Sequence, residues 1–112
     1  MPLAHLDSPA AFDELLGSSG VPVLIDFWAT WCGPCVAMAP VLDQAAASYG
    51  DRLAIAKVDV DAVGALAQRF SIMSIPTLVL FRDGAPVLSL VGGRGLGDLT
   101  RELDAFVSPA AD

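Results

Sequence analysis

The chain has 112 residues, a length that corresponds to one domain whose core is large enough to fold without metal ions or disulfide staples. Six basic and thirteen acidic residues give a formal net charge of −7, which disfavours binding to nucleic acid or to anionic membrane surfaces. The mean hydropathy is high, at +0.61, but no apolar run approaches the roughly 20 residues of a membrane-spanning helix. We therefore expect residues 1–112 to form a single domain whose partners are other proteins.

The N-terminal residues and the number of cysteines indicate where the protein acts and what its cysteines do. The first seven residues lack the cationic segment and the apolar stretch of a secretory signal, so we expect a cytoplasmic protein, with a monomer as the default state. The sequence has only two cysteines, and the loop between them is too short to stabilise the domain much. A chemical role is therefore expected for this pair.

The first half of the chain predicts a helix, a buried strand and a second helix, in that order. Ser8 and Pro9 are typical of an N-cap and a first helical position. Residues 21–29 are nearly all apolar and rich in β-branched and aromatic side chains, which indicates a strand at the centre of a sheet. A long helix follows and ends near Gly50, and Pro40 within it predicts a kink.

The second half predicts a strand, a helix, a hairpin and a last helix. Residues 53–60 indicate a second buried strand, and Asp61 is expected to cap the helix that follows it. Residues 77–82 and 86–91 predict two antiparallel strands, because Asp83-Gly84 between them favours a tight turn. Three apolar residues at helical spacing mark the last helix: Leu99, Leu103 and Phe106. This order of elements indicates an α/β fold.

The cysteines, Cys32 and Cys35, lie one helical turn apart where the central strand passes into the long helix. Unpaired backbone N–H groups and the helix dipole at this position favour a thiolate on Cys32. Gly33 and Pro34 set the geometry, because proline is accommodated early in a helix. The arrangement predicts thiol–disulfide exchange, in which Cys32 attacks a partner's disulfide and Cys35 resolves the mixed disulfide.

Two other interpretations of the cysteine pair are less favoured. An inert structural disulfide would not need the strand, helix dipole and proline that suit a reactive thiol. A structural zinc site needs four Cys or His ligands, and the chain offers only the two cysteines and the distant His5. We therefore expect no metal ion at this site.

One acidic residue, Asp26, interrupts the apolar central strand. Burial in such a strand raises the pKa of a carboxyl, and a raised pKa suits a proton acceptor. A single buried Asp could equally be a hydrogen-bonded structural group, so the residue alone leaves both roles open.

Three segments together resemble the thioredoxin family: residues 26–35 (Asp-Phe-Trp-Ala-Thr-Trp-Cys-Gly-Pro-Cys), residues 74–78 (Ser-Ile-Pro-Thr-Leu) and Val91-Gly92. The resemblance implies the thioredoxin fold, a central mixed five-stranded sheet flanked by about four helices. It implies a general protein-disulfide reductase with no cofactor of its own, which receives electrons from an NADPH-dependent thioredoxin reductase. The acceptors that it implies are ribonucleotide reductase, peroxiredoxin and methionine sulfoxide reductase.

The same resemblance implies roles for individual residues. Asp26 would take the proton of Cys35, and Lys57 on the neighbouring strand would be its charge partner, although a lysine there could instead extend to water. Ile75-Pro76 would form a cis peptide bond that faces the cysteines. An apolar docking patch around Cys32 would comprise Trp31, Gly33, Pro34, Ile75, Pro76, Val91 and Gly92.

Two departures from the family pattern affect the surroundings of the cysteines. Val36 stands where many thioredoxins have a basic residue, which widens the apolar rim and leaves the choice of partner open. Glycines within residues 92–97 predict a mobile loop beside the site. Two other functions remain open: an oxidase or isomerase of an extracytoplasmic space, and a non-enzymatic docking subunit that uses only the apolar patch.

Overall fold

The structure is a computed structural model that describes residues 3–110. Within these residues, five strands form one mixed sheet with helices on both faces. The strands are β1 (Ala4–His5), β2 (Val23–Trp28), β3 (Ala54–Asp59), β4 (Thr77–Arg82) and β5 (Ala85–Val91). The helices are α1 (Pro9–Ser18), α2 (Gly33–Ala37), α3 (Ala39–Tyr49), α4 (Gly64–Arg69) and α5 (Leu96–Leu103), with a 3₁₀ turn at Gly50–Arg52. The expected five-stranded α/β architecture is confirmed.

The strand order is β1-β3-β2-β4-β5, which places β2 at the centre as predicted. β1, β3 and β2 run parallel, whereas β4 and β5 are antiparallel to their neighbours. The first five residues of β2 are buried, which explains their nearly continuous apolar sequence. The chain leaves the end of this central strand directly into the segment that carries the cysteines.

Each face of the sheet has its own hydrophobic core. One core lies between the sheet and the helices α3 and α5, where Leu42 and Leu99 are fully buried. The other lies beneath α1 and α4, where the ring of Phe12 packs against the rings of Phe70 and Phe81 at centroid distances of 5.3 and 5.4 Å. The two cores hold β2 rigidly between them, because close-packed interiors have low compressibility.

The long helix predicted after the cysteines is kinked, as expected. α2 ends at Ala37, Met38 caps it, and Pro40 lies in the first turn of α3, where its missing N–H leaves no intrahelical bond unmade. The inner face of these two helices is buried and apolar, and it comprises Cys35, Met38, Leu42, Ala45 and Tyr49. Within residues 3–110, no helix is long and apolar enough to cross a membrane.

Two features near the sheet edge differ from the sequence prediction. Asp61 does not cap α4, which begins at Gly64 without a side-chain cap. The Asp59 carboxylate accepts hydrogen bonds from the backbone N–H groups of Asp61 and Ala62 (2.9 and 3.3 Å), so a turn intervenes before the helix. The local sequence pattern predicted no strand before α1, because β1 has only two residues, too few for an alternating pattern to be recognised.

The Asp83-Gly84 turn joins β4 to β5 as predicted. Both residues have positive φ, 54° and 80°, which a tight two-residue hairpin turn requires. The hairpin brings the end of β5 beside the start of β4, where Val91 pairs with Thr77. The backbone N–H of Gly92 then donates to the carbonyl of Pro76 (2.8 Å), which brings the loop after β5 beside the start of β4.

Replacing Phe12 with alanine tests the core beneath α1. We expect Phe12→Ala to lower the free energy of unfolding by about 3–5 kcal/mol, because the ring is fully buried and its loss leaves a cavity. Urea-induced unfolding measures this change. Val87→Ala is the control, since Val87 is 39% exposed and its truncation should cost less than about 1 kcal/mol. Equal losses in the two variants would contradict the assignment of this core.

Candidate active site

Cys32 and Cys35 form a disulfide at the start of α2. Cys32 is the N-cap of the helix, and the backbone N–H of Cys35 donates to its sulfur at 3.2 Å. Ala29, which follows β2 and is fully buried, packs against both cysteines. The junction of strand and helix therefore fixes both sulfurs, and an N–H group already points at Cys32 where a thiolate would carry its charge.

An open groove runs past the disulfide, and only one of the two cysteines faces it. Cys32 lines the groove, whereas Cys35 lies behind it and is 1% exposed. The groove is lined by Trp31, Cys32, Gly33, Pro34, Val60, Ile72, Met73, Ser74 and Ile75. A partner that enters the groove reaches the sulfur of Cys32 and not that of Cys35.

Four of the seven residues predicted for the docking patch line this groove: Trp31, Gly33, Pro34 and Ile75. The sequence prediction missed four others: Val60, Ile72, Met73 and Ser74. A signal was available for the last three, because they directly precede the Ile75-Pro76 segment. Met73 is 93% exposed, an unusual setting for so apolar a side chain.

The remaining patch residues lie beside the groove. Pro76 immediately precedes β4 and is buried, so its ring adds little to the exposed surface around Cys32. The Ile75-Pro76 peptide bond is cis, and the carbonyl oxygen of Ile75 lies 3.9 Å from the sulfur of Cys32. Val91 is 62% exposed and Gly92 is half-buried. A backbone acceptor thus stands next to the sulfur that a partner would reach.

The indole of Trp31 is held at the rim of the groove. Its ring is 70% exposed, and its N–H donates to the Asp61 carboxylate at 2.7 Å. Asp61 therefore anchors an aromatic side chain instead of a helix. An exposed ring fixed in this way offers apolar area to a partner without losing much conformational entropy on binding.

Asp26 is fully buried in β2, paired in register with Lys57 of β3 and Leu78 of β4. Neither carboxylate oxygen accepts a hydrogen bond from the residues that the structure describes. The nearest Lys57 Nζ distance, 4.0 Å to Oδ2, is an ionic contact and too long for a hydrogen bond. Burial raises the pKa of Asp26 to about 6, and the charge of Lys57 opposes this rise only in part. The carboxyl is therefore able to exchange a proton near neutral pH.

Lys57 does not extend freely to water. Its side chain is 11% exposed, and its ammonium nitrogen lies 4.3 Å from the centroid of the Trp28 ring. The lysine thus lies between an aromatic face and the Asp26 carboxylate. This placement favours the charge-partner role over the alternative of a solvated side chain.

The glycine-rich loop after β5 has a contact that opposes its predicted mobility. The Arg94 guanidinium donates to both carboxylate oxygens of Glu102 (2.6 and 2.7 Å) and to the carbonyls of Val91 and Gly92 (2.9 and 3.3 Å). Paired hydrogen bonds of this kind are among the stronger ones on protein surfaces. They fasten the loop to α5.

Opening and closing the Cys32–Cys35 bond is the chemistry that this arrangement can perform. Both cysteine sulfurs are used in the disulfide, and no group of three or more His, Cys, Asp or Glu side chains in the described part of the chain is placed to hold a metal ion. Cys32 lines the groove with 5% of its surface exposed, Cys35 does not line it and is 1% exposed, and a carboxyl whose pKa is about 6 lies in the strand that leads to them. Fold and site thus define a thiol–disulfide oxidoreductase.

Comparison with known proteins places the chain within this class. The family model described as "Thioredoxin" matches residues 4–105. The thioredoxin of Mycolicibacterium smegmatis is 59% identical over 92 residues, which cover 80% of this chain and 81% of that protein. The chain belongs to the thioredoxin family.

Two further relatives extend the comparison. A bifunctional thioredoxin reductase/thioredoxin of Mycobacterium leprae is 49% identical over 98 residues, which cover 88% of this chain and 21% of that protein. The solved structure of a mutant thioredoxin from Halobacterium salinarum superposes with a TM-score of 0.86 at 33% identity, covering 98% of this chain and 95% of that one.

The buried carboxyl predicts how stability depends on pH. Asp26 ionises at about 6 in the folded chain and near its ordinary value of 3.8 when unfolded, so the folded state binds more protons between these values. The free energy of unfolding should therefore fall as pH rises from 4 to 6, by about 3 kcal/mol at most. Urea-induced unfolding of the oxidised protein between pH 4 and pH 8 measures this loss.

Asp26→Asn should remove this part of the pH dependence and be more stable than the wild type above pH 7. Asp7→Asn, at an exposed position, is the matched control and should leave the pH dependence intact. If Asp26→Asn kept the wild-type slope between pH 4 and pH 6, the assigned pKa of Asp26 would be wrong.

Proposed function

We propose that this protein is a general protein-disulfide reductase that works by dithiol exchange through a mixed disulfide. The observation that carries the proposal is the unequal placement of the two sulfurs, Cys32 at the groove and Cys35 behind it. This inequality assigns different roles to the two residues. Cys32 is the attacking nucleophile, and Cys35 is the resolving thiol.

The cycle balances in two steps. The Cys32 thiolate attacks one sulfur of an acceptor disulfide, and the other acceptor sulfur leaves as a thiolate. The Cys35 thiolate then attacks the Cys32 sulfur, which closes the intramolecular disulfide and releases the second acceptor thiolate. Two electrons pass to the acceptor, whose disulfide becomes two thiols.

Asp26 is the group that takes the Cys35 proton in the second step, with Lys57 as its charge partner. A carboxyl with a pKa of about 6 accepts a proton near neutral pH and returns it readily, as a general base must. The support for this role is the position of Asp26 in β2, three residues before Ala29, which packs against Cys35.

The groove beside Cys32 is the docking site for the acceptor. Its apolar lining, with Met73 and Trp31 exposed at its edge, suits weak binding of many different segments. The carbonyl of Ile75 beside the Cys32 sulfur supports recognition of the acceptor through its main chain, which tolerates different side chains. Val36, 53% exposed next to Cys35, extends this apolar surface.

The electron donor in this proposal is an NADPH-dependent thioredoxin reductase. The Mycobacterium leprae relative supports it, because its name joins a thioredoxin reductase and a thioredoxin in one polypeptide. The acceptors are disulfide-containing proteins such as ribonucleotide reductase, peroxiredoxin and methionine sulfoxide reductase, and the supply of NADPH places the cycle in the cytoplasm. The whole chain, residues 1–112, acts as one domain and as a monomer.

Serine variants of the two cysteines test the division of labour. In NADPH-coupled reduction of insulin with thioredoxin reductase, Cys32→Ser and Cys35→Ser should both fall to the uncatalysed rate, because each breaks the cycle. In a single turnover with an excess of a disulfide substrate, Cys35→Ser should accumulate the mixed disulfide at Cys32, as mass spectrometry would show. Cys32→Ser should accumulate almost none, because the remaining thiol is buried.

Val87→Ala, an exposed change on β5 at the far end of the sheet, is the control and should retain wild-type turnover. Wild-type insulin reduction by Cys32→Ser would overturn the mechanism. Equal trapping in the two serine variants would contradict the assignment of nucleophile and resolving thiol.

A further inference from the structure

Lys57 is the middle member of a row of side chains that crosses three strands. It pairs in register with His5 of β1 on one side and with Asp26 of β2 on the other. Residues paired across neighbouring strands point to the same face, and Trp28, two residues after Asp26, shares that face. The sheet thus brings an imidazole, an ammonium, a carboxyl and an indole together.

Two aromatic contacts connect this row. The ammonium nitrogen of Lys57 lies 4.3 Å from the centroid of the Trp28 ring, within the range of a cation–π interaction. The His5 ring packs edge-to-face against the same indole, with a centroid distance of 5.8 Å and an interplanar angle of 62°. His5 therefore supports the ring on which the lysine rests.

A second position, away from Asp26, is open to the Lys57 side chain. A small cavity lies beside it, lined by Leu3, His5, Ala39, Asp43 and Lys57. Asp43 on α3 lines the same cavity and is exposed, so a carboxylate is available on the side of Lys57 that faces away from Asp26. The other nearby carboxylate on β3, Asp59, is already engaged by two backbone N–H groups. The contact with Trp28 favours the inward position of the lysine.

We propose that His5 and Trp28 are positioning residues that keep the Lys57 ammonium beside the Asp26 carboxylate and out of the cavity near Asp43. The importance of the Lys57 position for catalysis rests on the function proposed above for Asp26. The position itself does not depend on that function. The titration of Asp26 is measured in the oxidised protein, where the cysteines carry no proton. The position of Lys57 is therefore tested separately from the role of Asp26 in catalysis.

The test compares two variants of His5 that both lack the imidazole charge. His5→Phe keeps a ring against Trp28, whereas His5→Leu does not, and the exposed position on a short edge strand tolerates both. The titration midpoint of Asp26 is read from the carboxyl carbon by NMR in the oxidised protein. We expect it to be higher in His5→Leu than in His5→Phe by about half a pH unit or less, because the lysine spends more time away.

The same pair of variants in a Lys57→Met background shows whether His5 acts through the lysine. In that background we expect His5→Leu and His5→Phe to have the same Asp26 midpoint. The Asp26 midpoint of Lys57→Met alone should be higher than that of either single His5 variant. Equal midpoints in His5→Leu and His5→Phe would overturn the proposal, as would a difference that persists without Lys57. Trp28→Leu provides an independent variant and should raise the midpoint only when Lys57 is present.

The pH profile of insulin reduction separates this proposal from the function of Asp26. A profile that shifts with the Asp26 midpoint supports both. A midpoint that moves as expected while the profile stays fixed still supports the positioning role, and it is then the proton-acceptor role of Asp26 that fails.

Discussion

A buried carboxyl group that accepts no hydrogen bond from residues 3–110 is the constraint on which the rest of this site depends. Asp26 lies in the central strand, where both faces of the sheet are covered and Lys57 offers only an ionic contact at 4.0 Å. Burial of such a group destabilises the folded chain at neutral pH. The same burial raises the pKa of Asp26 from 3.8 to about 6, so this carboxyl exchanges its proton closer to neutral pH than an ordinary one does.

The fold connects this carboxyl to the two cysteines through a single strand and the helix that follows it. β2 holds the carboxyl, its end leads into the N-cap of α2, and the helix places Cys35 behind Cys32. The turn before β4 and the loop from β3 then supply the other walls of the groove. The sulfurs therefore lie at the junction of a buried strand and a helix, while most of the groove walls come from loops, where variation disturbs the core least.

The parts of this arrangement that were predictable are those governed by local patterns. The strand at residues 21–29, the kink near Pro40 and the Asp83-Gly84 hairpin each have a signal in a few neighbouring residues. The role of Asp61 was not predictable, because its partner Trp31 is thirty residues away and Asp59 takes the turn instead. The place of Val60 in the groove and the contact of His5 with Trp28 likewise depend on which strands become neighbours, which no local pattern encodes.

The central claim is that electrons flow from this protein to its partners. No Lys or Arg occurs between Asp26 and Asp51, so the Cys32 thiolate gains no charge partner from its own segment, and Lys57 is engaged with Asp26. A thiolate that backbone N–H groups stabilise without a cationic side chain leaves the reduced form a better electron donor than one that also has a charge partner. The reduction potential of the Cys32/Cys35 pair, measured by equilibration with glutathione, tests this directly. We predict a reduction potential more negative than the cytosolic glutathione poise of about −220 to −260 mV. A reduction potential of about −120 mV, as in disulfide-forming oxidants, would contradict the account.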